Sequence, residues 1–511
     1  MTKWRRPGRA YDAYFQVTAL EHDALEVLSL VRSMRNTFVP VNRTPPEVLA
    51  LVPDYLEGHD KDKNLIKLTH VCRNWREIFI SHPSLWTRLD FKDVDKTRVY
   101  IERSKYAPLE IHLSLFYQEE AFLLAIPHIR RLKTLSVYGD PMELLPVLAE
   151  YFSCPLPFLD GLCIHFPYYG TPTLPDELFN GNLSSLRELT LAGVTTPPPW
   201  RDLSNLTTFN LSDVLGNKIL LTQLLDFFES APYLRHIHLD NSLPSSSDAP
   251  SERVVLLPHL RDLSIITEQT HSVLLDHLSI PAGASLYLEF NFYSERRPVL
   301  SHFPKFPGGL LNLSHITAVN LCFGPSWRHI RLNGPSGELH ILGNWRREME
   351  RADAEIFRVI QYLGQFDISR TRWLVITLCN YQPPDPAQIE KSSLYRTFHC
   401  MEDLRTLMLI RCDNLPFIHT LNPDKNPDKI VLCPRLEEII IYIGGWDPLH
   451  VDELVNMAKE RALRGAKLSA VTVVSIDAVV PKEEVFQLRK YASRVEYKFD
   501  NVVPKWDASP S

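Results

Sequence analysis

The sequence predicts an α/β chain in two parts: a small helical module near the N-terminus, then an irregular solenoid whose parallel strands line a concave face and whose helices form the outer wall. This rests on three observations. Apolar residues up to about residue 86 recur at three- and four-residue steps, the period of amphipathic helices. Beyond residue 105 the texture changes to short Leu-x-x-Leu-x-Leu bursts separated by loops and helical stretches. The 511 residues, 45% of them hydrophobic, suffice for more than one core and exclude a disordered chain.

The first element spans residues 11–36, with Tyr14, Val17, Leu20, Ala24, Val27, Leu28 and Val31 along one stripe of a helix. Residues 1–40 form this N-terminal segment, ended by Pro40 and the Thr44-Pro45-Pro46 run. The stripe is expected to pack on the chain's own next domain, with pairing to a second helix as the other possibility. A helix restarts at Pro46, a residue suited to a first turn, with Glu47 at the positive helix end. Pro53 falls inside it and should kink the chain. After the charged loop 57–63, Leu65, Leu68, Val71, Cys72, Trp75 and Phe79 share a second helical face, with Arg73 and Arg76 pointing away. Ser81-His82-Pro83 stops it, and Leu85 and Trp86 can close the base of a compact three-helix unit.

The repeats begin at Leu132-x-x-Leu135-x-Val137 and continue through copies starting at Leu159, Leu186, Leu206, Leu234 and Leu260, about 20 to 28 residues apart. Later copies start at Ile316, Trp373, Leu404 and Leu436. Helical stretches lie between them at 222–230, 271–280, 350–366 and 452–464. A strand with two inward apolar residues and a one-sided helix cannot bury themselves alone, and stacking buries both; this is the logic of a leucine-rich-repeat solenoid. The repeats occupy 91–495 and residues 496–511 form a tail. Residues 281–345, with Pro304, Pro307, Gly308 and Gly309, are expected to be an irregular or frayed insertion.

Residues 41–90 resemble the F-box. The resemblance is carried by Pro45-Pro46-Glu47-Val48-Leu49, then Leu56, then Leu68-x-x-Val71-Cys72-Arg73-x-Trp75-Arg76, then Pro83-x-Leu85-Trp86, although Thr44 stands where the family usually has leucine. The whole chain looks like the F-box proteins with C-terminal leucine-rich repeats that are abundant in fungi. The resemblance implies that the module binds the Skp-type adaptor of an SCF (Skp-cullin-F-box) E3 ubiquitin ligase and that the repeats select a target protein. The expected location is the cytoplasm or nucleus. The alternative with the same fold is a repeat scaffold acting outside ubiquitin ligation. Pro46, Leu49, Val52, Leu56, Leu65, Leu68, Val71 and Trp75 form the expected adaptor surface, with Trp75 and Trp86 also serving as internal wedges.

Strand side chains alternate, so residues between the inward leucines should face a target. The candidates are Tyr138, His236, His238, Met408, Ile440, Tyr442 and, nearby, Trp446; the C-terminal ones are the more apolar and suit an anchor for a protein partner. His236-x-His238 could share a metal ion, but the sequence places no third ligand, so no metal or other cofactor is expected. A net charge of -6 gives no basic field for nucleic acid. No signal sequence and no membrane span are expected. The eight scattered cysteines, without a Cys-x-x-Cys pair, read as reduced thiols. The sequence holds no phosphate loop and no hydrolase or kinase motif, which leaves an adaptor without chemistry of its own.

Overall fold

In a computed structural model the described residues are 8–55, 61–167, 172–175, 178–181, 183–194, 203–214, 220–244, 250, 252–268, 272–292, 307–324, 327–345, 352–378, 391–412, 414–443, 449–475 and 485–499. The chain divides into two compact units: Met1–Tyr138 with Leu156–Leu159, and the remainder. The boundary anticipated at residue 90 therefore lies inside the first unit.

The first unit begins with α1 (Gly8–Thr37), α2 (Pro46–Leu49), α3 (Lys61–Thr69) and α4 (Arg73–Ser81). It continues through β1 (Arg88–Leu89), α5 (Val94–Ser104), β2 (Leu109–Ser114), α6 (Glu119–Ala125) and β3 (Leu132–Tyr138). The strands β1, β2 and β3 pair in parallel. Helix α1 departs from the expected packing: of residues 13–37, all are exposed except Ser33 and Asn36, which are half-buried. Its apolar residues alternate with Glu21, Asp23, Glu26, Arg32 and Arg35, and no described part of the chain covers them. Pro53 does more than kink the helix it enters. The helix stops at Leu49, and Val52–Tyr55 forms a separate tight 3-10 turn, because proline removes a backbone donor there.

The second unit opens with α7 (Pro141–Tyr151), β4 (Gly161–His165), β5 (Glu188–Ala192), β6 (Thr208–Ser212), α8 (Leu221–Ser230) and β7 (His236–Asp240). Next come β8 (Val255–Leu256), β9 (Asp262–Thr267), α9 (Ser272–Leu275), β10 (Leu278–Ser279) and β11 (Ala284–Phe292). Then follow β12 (Ala318–Phe323), β13 (Trp327–Gly334), β14 (Gly337–Trp345), α10 (Ala352–Leu363), β15 (Trp373–Leu378) and α11 (Lys391–Cys400). The unit ends with β16 (Thr406–Ile410), α12 (Leu415–Leu421), β17 (Glu438–Ile443), α13 (Val451–Leu463), β18 (Leu468–Ser475) and β19 (Ala492–Phe499).

Its sheet runs β4-β5-β6-β7-β9-β11-β14-β13-β12-β15-β16-β17-β18-β19, parallel throughout except that β13 is antiparallel to both neighbours. The result is a mixed α/β architecture, a large sheet with flanking helices. Parallel neighbours need a crossover chain, and the helices supply it in the C-terminal half. Residues 281–345 are not frayed where they are described. They hold β11 and the β12–β13–β14 meander, so the irregularity is one of topology. The tail boundary also moves, since residues 496–499 complete β19. Of the helical stretch anticipated at 271–280, only α9 is helical, and β10 follows it.

Register keeps the core level. Leu162, Leu189, Phe209, Ile237, Leu263, Leu286 and Leu339 are successive partners, as are Ile164, Leu191, Leu211, Leu239, Ile265, Leu288 and Ile341, and all are buried. A second set, Val319, Leu374, Leu407, Ile439, Val471 and Val495, does the same across β12 and β15–β19. Directly after β5, β6, β7 and β16 the chain takes one left-handed residue: Gly193, Asp213, Asn241 and Arg411. Each amide there donates to the next strand's end, as Gly193 N does to Ser212 O at 3.0 Å and Asn241 N to Ile266 O at 2.7 Å. Glycine is required at 193, where a Cβ would stand 2.1 Å from the Phe166 carbonyl oxygen.

The alternation has a measurable consequence. Phe209 packs its ring against Phe227 and Phe228 of α8, whereas its neighbour Asn210 donates to Thr190 Oγ1 at 3.1 Å on the other face. Phe209→Ala is expected to cost about 3–5 kcal/mol and Asn210→Ala about 1 kcal/mol in urea unfolding; equal costs would contradict the assigned faces.

Candidate functional site

In the first unit the candidate site is built from four short helical pieces. Pro46 opens α2, whose closing amide, Ala50 N, donates to Pro46 O at 2.9 Å. Extended backbone at Cys72 separates α3 from α4. Arg76 does not simply face away: its Nε donates to the Thr69 carbonyl at 3.0 Å and so satisfies the end of α3. Asn42 ties the entry to the module. Its Nδ2 donates to Asn36 O at 2.7 Å, and its Oδ1 accepts from the Trp75 indole at 2.6 Å.

The base is closed by Trp86, which is buried. Its indole donates to Phe79 O at 2.8 Å, Tyr100 meets it edge-on at 5.0 Å, and the Arg103 guanidinium lies over its ring at 4.4 Å. Beside it Lys96 pairs with Asp62 at 2.6 Å and with Asp90 at 3.0 Å. Burial works to lower the Lys96 ammonium's pKa, and the two carboxylates outweigh it, so the group ends above its ordinary value. Burial also pushes the Tyr100 phenol up.

The expected adaptor residues divide between core and surface. Leu49 and Leu65 are buried, at 1% and 4% exposure, and hold the module together instead of presenting surface. Val52 and Leu68 are half-buried, Pro46 and Val71 are exposed, and Leu56 lies outside the described residues. Trp75 is half-buried and stacks edge-on with Phe79 at 5.6 Å, the arrangement of an internal wedge. The expected adaptor set left out Val48, Leu51, Tyr55 and Ile66, which are apolar or aromatic and exposed. Helical spacing places Val48 beside Leu49, Val52 and Leu56, whereas Leu51, Tyr55 and Ile66 lie off that stripe.

In the second unit the candidates lie on the sheet face opposite the leucine rows. His236 pairs with its register partner Asp262 at 2.7 Å, and both are exposed. His238 follows two residues on and is half-buried. One row runs Thr190, Asn210, His238, Ser264, Tyr287 and His340. Tyr287 donates to Glu289 at 2.7 Å, and burial followed by that bond pushes its phenol up. Burial and the nearby Arg331 lower His340, whose Nε2 bonds to that of His329, a contact made by the meander and invisible in any repeat pattern.

Farther along, the structure brings Val375, Met408 and Ile440 together as successive register partners, all half-buried. The next row is covered more: Thr377 and Ile410 are buried, and Tyr442 is half-buried. Tyr138, exposed, belongs to the first unit, and Trp446 lies outside the described residues. Among the described residues no group of three or more His, Cys, Asp or Glu side chains could hold a metal ion. No helix among them is long and apolar enough to cross a membrane.

A family model described as F-box-like matches residues 42–92, so an F-box-like domain is present. Domains of this kind are non-catalytic adaptor modules. The matched segment contains α2 to α4, Trp86 and β1. No curated protein matches the chain.

Asn42 is the polar joint of this module. Asn42→Ala removes an acceptor from Trp75 and a donor from the end of α1, and is expected to destabilise the first unit by about 1–2 kcal/mol in thermal unfolding; an unchanged transition would show that the joint bears no weight.

Proposed function

We propose that the protein is the substrate-recognition subunit of an SCF-type E3 ubiquitin ligase, attached through the F-box-like module to a Skp-type adaptor. The observation that carries this reading is the match over 42–92, supported by exposed apolar side chains on the same segment: Val48, Leu51, Tyr55, Ile66 and Val71. Such side chains favour burial against a partner at about 25 cal/mol per Å². Pro46, Val52, Leu68 and Val71 stay in the proposed adaptor surface. Leu49, Leu65 and Trp75 support it from within.

In this reading the second unit is a leucine-rich-repeat solenoid that captures a target protein on the sheet face opposite its core. Level inward rows and a left-handed turn after several strands support the repeat assignment. Met408 and Ile440, with Val375 beside them, supply an apolar anchor, and Tyr442 borders it. His236, His238 and Asp262 supply polar contacts that discriminate among targets. The receptor then contributes proximity, and ubiquitin transfer belongs to other subunits in the cytoplasm or nucleus.

Adaptor docking is tested by co-purification with a Skp-type adaptor. Wild type is expected to bind, and Val48→Asp with Val71→Asp to lose at least about tenfold in affinity while keeping its unfolding transition. Leu65→Asp should fail by unfolding the module. Wild type that does not bind would leave a repeat scaffold outside ubiquitin ligation as the better reading.

Target capture is tested in cells by abundance profiling. Proteins that rise when Val48 and Val71 are replaced by Asp should also rise with Met408→Asp plus Ile440→Asp, a variant that still binds the adaptor. Disjoint sets would remove the apolar anchor from the recognition surface.

A further inference from the structure

The long helix α1 precedes the F-box-like segment and has no part in the function proposed above. Its 30 residues span about 45 Å. Val17, Leu20, Ala24, Val27, Val31 and Met34 recur at steps of three and four residues, a strict seven-residue repeat. The bulky ones are exposed, from Val31 at 56% to Leu20 at 67%. A stripe that suited the chain's own core would follow the 3.6-residue period and find cover there. This one keeps the 3.5-residue period of supercoiled helices and is bare along its length.

We propose that α1 is a dimerisation helix whose seam is covered by α1 of a second copy, in parallel register. Parallel pairing sets each seam residue against itself, with β-branched Val17 and Val31 at the positions where such residues favour two strands. Leu20, Val27 and Met34 fill the alternate layers. The flanking positions tolerate this register, because they would bring Gln16 against Glu21, Asp23 against Leu28 and Leu30 against Arg35, with no like charges opposed. An antiparallel pairing centred on the helix instead opposes Asp23 to Asp23 and Glu21 to Glu21.

The area is adequate. Six seam side chains and the flanking leucines bury roughly 500 Å² per helix, or about 1,000 Å² in all, the threshold for a specific interface. The end of the helix is also anchored. Asn42 holds the Asn36 carbonyl and the Trp75 indole together, so two joined α1 helices would bring two adaptor modules together.

Sedimentation velocity on the full chain tests this. At concentrations on the order of 10 µM wild type is expected to sediment as a dimer. Leu20→Asp with Val27→Asp should be monomeric with an unchanged thermal transition for the rest of the chain. Val27→Cys should form a disulfide-linked dimer on oxidation that wild type does not form, because parallel register places the two copies side by side at 27.

Monomeric wild type would overturn the proposal, including a monomer that binds lipid vesicles or another protein through α1. So would a dimer that survives the aspartate variant. A dimer that Val27→Cys fails to link would overturn the parallel arrangement.

Discussion

The second unit depends on one constraint: neighbouring parallel strands must stay level so that every inward side chain meets another. From Leu162 to Leu339 and from Val319 to Val495 the register never lets a polar residue slip into these rows. A slip of one residue would turn an entire strand inside out. The left-handed residues at 193, 213, 241 and 411 serve the same end, because each turns the chain off the sheet at one level. Glycine, aspartate and asparagine tolerate that conformation, while Arg411 bears its steric cost.

Strand position was the most legible feature. Each Leu-x-x-Leu-x-Leu burst from 132 to 441 coincides with a strand, because such a burst encodes two inward side chains and little else. What stayed hidden lacked the pattern. Strands β13 and β14 contain Arg328, His329, Arg331 and His340, and their pairing is antiparallel, so no repeat period could announce them. Strand β18 keeps the spacing as Leu468, Val471 and Val473, with valine in place of two leucines, and β19 carries Ala492 and Val495 where the bursts have leucine. Helices α8 and α13 fall within a residue of their expected bounds and α10 within three, α9 shrinks to one turn, and α7 and α11, as long as α8, went unannounced.

The F-box-like segment was legible as a family pattern and less so as a surface. Helical periodicity identifies which residues share a face, and in a long helix the apolar face is the buried one. In α2, four residues long, there is scarcely a face to define, and Pro53 prevents it from growing. A stripe drawn through Leu49 and Leu65 therefore finds the core of the module. The surface is shared between exposed members of the stripe, Pro46 and Val71, and apolar residues off it, Leu51, Tyr55 and Ile66. A domain this small keeps few side chains fully inside and leaves many apolar ones outside.

Helix α1 is the opposite case. There a seven-residue spacing can be followed and the length is ample, yet its apolar residues are bare both on that line and off it, as at Phe15 and Leu25, because an apolar spacing specifies that a helix needs a partner without specifying which. The distinction lies in the period. A helix that curves over a globular core can drift by 3.6 residues per turn, whereas a seam held at seven residues over several turns stays in line only against another helix that supercoils with it. Intramolecular packing requires only an apolar stripe, and the seven-residue spacing of Val17, Ala24 and Val31 is the additional information that favours a helical partner.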